Sequence, residues 1–104
     1  MRTMLKVHLS TEKANALVRA GKLASTIRSI LDDLKPEAAY FVADEGQRTG
    51  FLFFDLADSS EIPRVAEPWF LAFDAEVDMR PTMNPEDLAK GATHLDQAGR
   101  KYGS

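Results

Sequence analysis

The chain has 104 residues, 13 Lys and Arg against 16 Asp and Glu, and no cysteine. That length builds one domain whose core needs no metal or disulfide staple. The missing cysteine excludes disulfides, thiolate chemistry and cysteine-held zinc or iron–sulfur centres. A formal charge of −3 supplies no general attraction to nucleic acid or anionic lipid, and 44% apolar with 28% charged residues argues against disorder.

The start, Met1 to His8, has no sustained apolar stretch and no small-residue cleavage site, so it does not read as a signal peptide. The most apolar run, Phe51 to Leu56, contains Asp55 and falls far short of the roughly 20 residues that span a bilayer. The expectation is a cytoplasmic protein with no membrane partner.

From Met4 to Ser10 the residues alternate. Leu5, Val7 and Leu9 point one way, and Met4, Lys6, His8 and Ser10 the other, which reads as a half-buried strand. Ser10 or Thr11 can cap a helix. Leu23, Ile27, Ile30, Leu31 and Leu34 then follow helical spacing up to Pro36, and Gly21 divides that segment in two. Ala39 to Asp44 is a second strand, residues 45–50 a turn with two glycines, and Phe51 to Leu56 a third strand that is apolar on both faces. Asp58 starts a helix with Glu61 at capping-box spacing, and Pro68 predicts a kink or break at residues 67–70. Ala75 to Arg80 alternates again. Asn84, Pro85, Glu86 and Asp87 open a last helix over about residues 85–98, with Leu88, Ala92 and Leu95 as its apolar stripe and Gly99 as its end.

Strand, helix, strand, strand, helix, strand, added helix is the order of an α+β, ferredoxin-like βαββαβ sandwich with a C-terminal helix. Its core spans about residues 4–82, and right-handed crossovers place the first and third strands in the centre. One sheet face collects Leu5, Val7, Leu9, Ala39, Phe41, Ala43, Leu52, Phe54, Leu56, Ala75, Val77 and Met79 under the helices. The other collects Lys6, His8, Tyr40, Val42, Phe51, Phe53, Asp55, Glu76, Asp78 and Arg80. Tyr40, Val42, Phe51 and Phe53 make that second face too apolar for water, and the expected cover is a second copy in a homodimer.

This order of elements resembles the dimeric α+β-barrel superfamily over about Met4 to Thr82. Its members pack two such sheets face to face around a chamber, and they include muconolactone isomerases, cofactor-free antibiotic-biosynthesis monooxygenases and stress-responsive barrel proteins. Residues 66–70 (Ala-Glu-Pro-Trp-Phe) and 81–88 look similar to those of small uncharacterised bacterial proteins. The resemblance implies a homodimer, an inter-subunit chamber and no cofactor.

Lys6 and His8 on the first strand share a face with Asp78 and Arg80 on the fourth, and Asp55 lies on the neighbour to the other side. A histidine beside a carboxylate can act as a general base near neutral pH. An arginine beside it can hold an anion or an enolate oxygen. Read as catalysis, His8 is the acid/base, with Arg80 and Asp78 beside it. Read as binding, Lys6, Tyr40, Phe53, Asp55 and Trp69 line a site for a small, partly apolar ligand. The plain alternative is an interfacial ion-pair network that sets dimer register, with Trp69 and Phe70 packed in a core or interface. One histidine among scattered carboxylates has no metal-ligand spacing, and His94 reads as a surface or packing residue. Lys13, Arg19, Lys22 and Arg28 scatter around their helix, and the acidic fourth strand repels phosphate, so no nucleic-acid partner is expected. Three functions follow: a ligand-binding homodimer, a cofactor-independent isomerase or monooxygenase, or a structural protein without a ligand.

Overall fold

In the computed structural model, which describes residues 1–104, alternation makes Arg2–His8 the strand β1, with Thr3, Leu5 and Val7 buried and Met4, Lys6 and His8 half-buried. Ser10 Oγ accepts from the Lys13 amide at 3.3 Å and caps α1 (Thr11–Arg19). Gly21, at φ 71°, separates α1 from α2 (Leu23–Leu34), which stops on a left-handed Lys35 just before Pro36. Strands β2 (Ala38–Asp44) and β3 (Gln47–Asp55) follow, then a 3-10 turn at Ser59–Glu61, α3 (Ile62–Phe73), β4 (Glu76–Pro81), α4 (Pro85–Lys90) and α5 (Ala92–Tyr102).

The four strands form one antiparallel sheet in the order β2-β3-β1-β4. The first and third strands are therefore central, as the crossover argument expects. Helices α1 to α3 cover one face, making a small α+β fold compatible with the ferredoxin-like pattern. Leu5, Val7, Leu9, Leu52, Phe54 and Leu56 of the sheet segment meet Ile30, Leu34, Val65, Trp69 and Phe73 of the helices in a single buried core. Each such side chain contributes roughly 1.5–3 kcal/mol on burial.

Several local expectations change. The hairpin between β2 and β3 turns on two residues, Glu45 and Gly46, both at positive φ (52° and 79°), so residues 47–50 belong to the strand. Two consecutive left-handed residues match the right-handed twist of the flanking strands, which lets so short a loop close. Helix α3 runs unbroken through Pro68. The missing bond and ring crowding cost about 3 kcal/mol, but Val65, Ala66, Trp69 and Phe73 all bury on one face of that helix. Two large aromatics alone bury about 150–250 Å² each, which at roughly 25 cal/mol per Å² outweighs the proline. The last helical segment is interrupted at Gly91 and continues through Gly99 to Tyr102. Finally, β2 is poorly covered: Phe41 and Ala43 lie on the helix side of the sheet yet remain exposed.

Candidate site on the open sheet face

Ladder partners point to the same face of a sheet, so the register fixes which side chains meet. Lys6 stands between Phe51 and Asp78, His8 between Thr49 and Glu76, and Met4 between Phe53 and Arg80. Tyr40 adjoins Phe51, and Val42 adjoins Thr49. The side of the sheet away from the helices thus carries the residues that alternation assigned to it, in a polar-to-apolar gradient from β4 to β2.

The cluster at the hairpin end of this face is built around Asp44, the last residue of β2. Its Oδ2 accepts from Lys6 Nζ at 2.9 Å and contacts His8 Nε2 at 3.2 Å. Lys6 reaches it by lying over the Phe51 ring, Nζ 5.8 Å from the ring centroid. Thr49, buried, lies between His8 and Val42 in the ladder and forms the floor. The His8 side chain is 18% exposed, Lys6 28% and Asp44 31%, so the trio is half out of water in a single protomer. Hydrogen bonds from Lys6, and then from His8, hold the Asp44 carboxyl below the usual carboxylate range against the opposing effect of burial. When Nε2 carries the proton and donates to Asp44, Nδ1 keeps its lone pair and can take a proton from a ligand.

The other expected site residues lie at different distances from this cluster. Asp78 faces Lys6 across the ladder but pairs with Arg80 of its own strand, Oδ2 to Nη2 at 2.9 Å, and both are exposed. A shallow pocket between β1 and β4 is lined by Lys6, His8, Glu76, Val77 and Asp78. Asp55 sits at the far end of β3, where it binds the N-terminal amine at 3.2 Å and lies opposite Arg2. Tyr40 and Phe53 share the open face with the cluster. Trp69 does not: it is wholly buried on the helix side and stacks on Phe73 with centroids 5.8 Å apart. An indole on the core stripe of α3 cannot also line an opening on the opposite sheet face, so Trp69 is corrected from the ligand site to the core.

Asp44 is the site residue that the sequence reading passed over. Its signal is plain alternation: Tyr40, Val42 and Asp44 fall on one side of β2. No group of three His, Asp or Glu side chains is disposed to hold a metal ion, and no helix is long and apolar enough to cross a membrane. No protein-family model matches the chain, and comparison with characterised proteins finds no significant relative.

Proposed function

We propose that two copies of this chain pack their open sheet faces together, in the manner of the dimeric α+β barrels, and that the chamber between them binds a small, partly apolar ligand. Lys6, His8 and Asp44 take its polar end; Phe51, Phe53 and Tyr40 take its apolar body. The observation that carries this reading is the half-buried Lys6–Asp44–His8 trio set beside the aromatic and aliphatic patch of Tyr40, Val42, Phe51 and Phe53 on the open sheet face. A contiguous exposed apolar patch of this kind marks an interaction site. The strand order, with β1 and β3 central, supports the ferredoxin-like architecture on which such dimers are built.

Light scattering on a sizing column across a dilution series tests the chamber. A stable dimer is expected, and a monomer up to high concentration overturns the reading. A thermal-shift screen of small organic acids and aromatic alcohols follows, with His8→Ala and Lys6→Ala as controls. Ligands of the chamber lose their shift in both variants; a shift retained in both places the ligand elsewhere.

The His8–Asp44 contact favours a second reading, a cofactor-independent isomerase. Here His8 Nδ1 removes a proton from one substrate carbon and returns it to another, so no co-reactant is needed. Arg80 is occupied by Asp78, so the proton transfer rather than the anion-holding role supports this reading. Turnover lost in His8→Ala on a substrate that still binds separates it from binding alone.

A further inference from the structure

The chain ends in a helical arm that its own body does not use. No residue of α4 or α5 is buried, and the polar tie to the sheet is Arg2 Nη1 to Asp87 Oδ2 at 3.2 Å. Leu88, Leu95 and Tyr102 are 49%, 61% and 75% exposed. With Ala92 and Gly99 they recur at alternating spacings of four and three residues, the spacing of a seam that packs against another surface. Helices shorter than about 12–15 residues are marginal alone in water, and α5 has 11.

Shape and area say the same. The radius of gyration is 17.4 Å and the long axis 59 Å, whereas a compact chain of this length has a radius near 13 Å. The protomer exposes 7151 Å² at 11.5 kDa, against about 5,800 Å² for a compact monomer of that mass. The excess, roughly 1,300 Å², is more than the ~800 Å² that each partner gives to a standard interface.

The chain also carries an unfilled groove. Between α2 and β2 lies an apolar trough lined by Leu23, Ile27, Phe41 and Ala43, with Leu9 beneath. It is the place where β2 lacks cover. The arm leaves from β4, at the opposite edge of the sheet, and leads away from the body.

We infer that the arm of each protomer docks in the α2–β2 groove of a second copy. This rests on the proposed dimer for its occupant. A two-fold axis parallel to the strands, midway between two facing sheets, sets β4 of one protomer over β2 of its partner; the root of the arm, level with Thr3, arrives at the Ala38 end of β2, and the arm runs along that edge to the groove at Phe41 and Ala43. The exchange is reciprocal, so the assembly closes at two. Entering at the C-terminal end of α2, the arm runs antiparallel to that helix and carries Leu95 toward Ile27.

The cysteine-free chain makes the test direct. Single-cysteine variants Leu95→Cys and Ala24→Cys, both at exposed positions, are mixed through one cycle of unfolding and refolding. They are then treated with a short bismaleimide at a concentration where light scattering gives the dimer. The expected product is a cross-linked pair containing one chain of each kind, and it disappears when Leu88→Asp is added to the arm. Leu95→Cys cross-linking to itself means that arms pair with arms and overturns the inference. So does closure within one chain when a single chain carries both cysteines, or a dimer without any cross-link. In these cases the dimer itself stands; a monomer at every concentration removes both.

Discussion

Asp44 concentrates the site's electrostatics in one oxygen, which accepts from Lys6 and contacts His8. Its folded-state pKa lies below the ordinary value, first through the Lys6 hydrogen bond and then through His8. A depressed carboxyl binds fewer protons folded than unfolded. Its stabilising contribution is therefore complete above the ordinary carboxylate pKa of about 4 and drains away as pH falls through the lowered value. Asp58, held low by the Ser60 hydroxyl and amide, adds to the same acid limb. Denaturation midpoints at about pH 6 and about pH 3 are expected to differ less in Asp44→Asn than in the parent, and less again when Asp58→Asn is added. An unchanged difference in Asp44→Asn means that the trio does not form in solution. Trp69 shows the opposite economy. It is wholly buried, with Nε1 lacking an acceptor. Trp69→Ala opens a cavity and is expected to cost about 3–5 kcal/mol, whereas Trp69→Phe sheds an unpaired donor worth about 1–3 kcal/mol and should cost far less. Equal losses in chemical denaturation point to a hidden partner for the indole.

Among the elements, α3 is where local chemistry and tertiary packing conflict. Pro68 removes a backbone hydrogen bond in the helix interior, and the buried stripe from Val65 to Phe73 overrides it. Pro68→Ala restores that bond but loosens the unfolded chain, so a net gain of about 1–3 kcal/mol is expected. A lowered midpoint means that the half-buried ring packs better than the bond it displaces. The same conflict explains what the sequence discloses. Strands with one buried face are legible because alternation of Leu5-Lys6-Val7-His8 or Val77-Asp78-Met79-Arg80 has a single explanation. Caps are legible because Ser10 and Asn84 each satisfy a nearby amide. Residues 47–50 are not legible as strand, because polar and glycine residues resemble a turn until the loop is known to close on Glu45 and Gly46. Asp44 was legible by parity but sat at a strand end, where alternation loses its weight. The failure of α2 to cover Phe41 is a matter of helix placement, which no local pattern encodes.

At the scale of the whole molecule, the proposed dimer would cover the open sheet face and the free arm of each protomer. A net charge of −3 puts little repulsion in the way of two copies meeting. Association stabilises the folded chain by mass action, so the melting temperature should rise with concentration. Leu95 is 61% exposed and lies outside the core of its own protomer, so Leu95→Asp is expected to leave the body intact. Parent and variant are expected to melt together when dilute and to separate as concentration rises, the parent climbing and the variant lagging. Amide exchange localises the effect. The α5 amides should exchange freely in dilute parent protein, because a lone helix of that length frays, and become protected in concentrated parent but not in concentrated variant. Strand β1, in the core of either form, should stay protected throughout. Coincident melting curves at every concentration would place Leu95 outside any interface. Curves that separate while α5 stays unprotected would show that the aspartate acts on the sheet-face contact, leaving the arm free in the dimer.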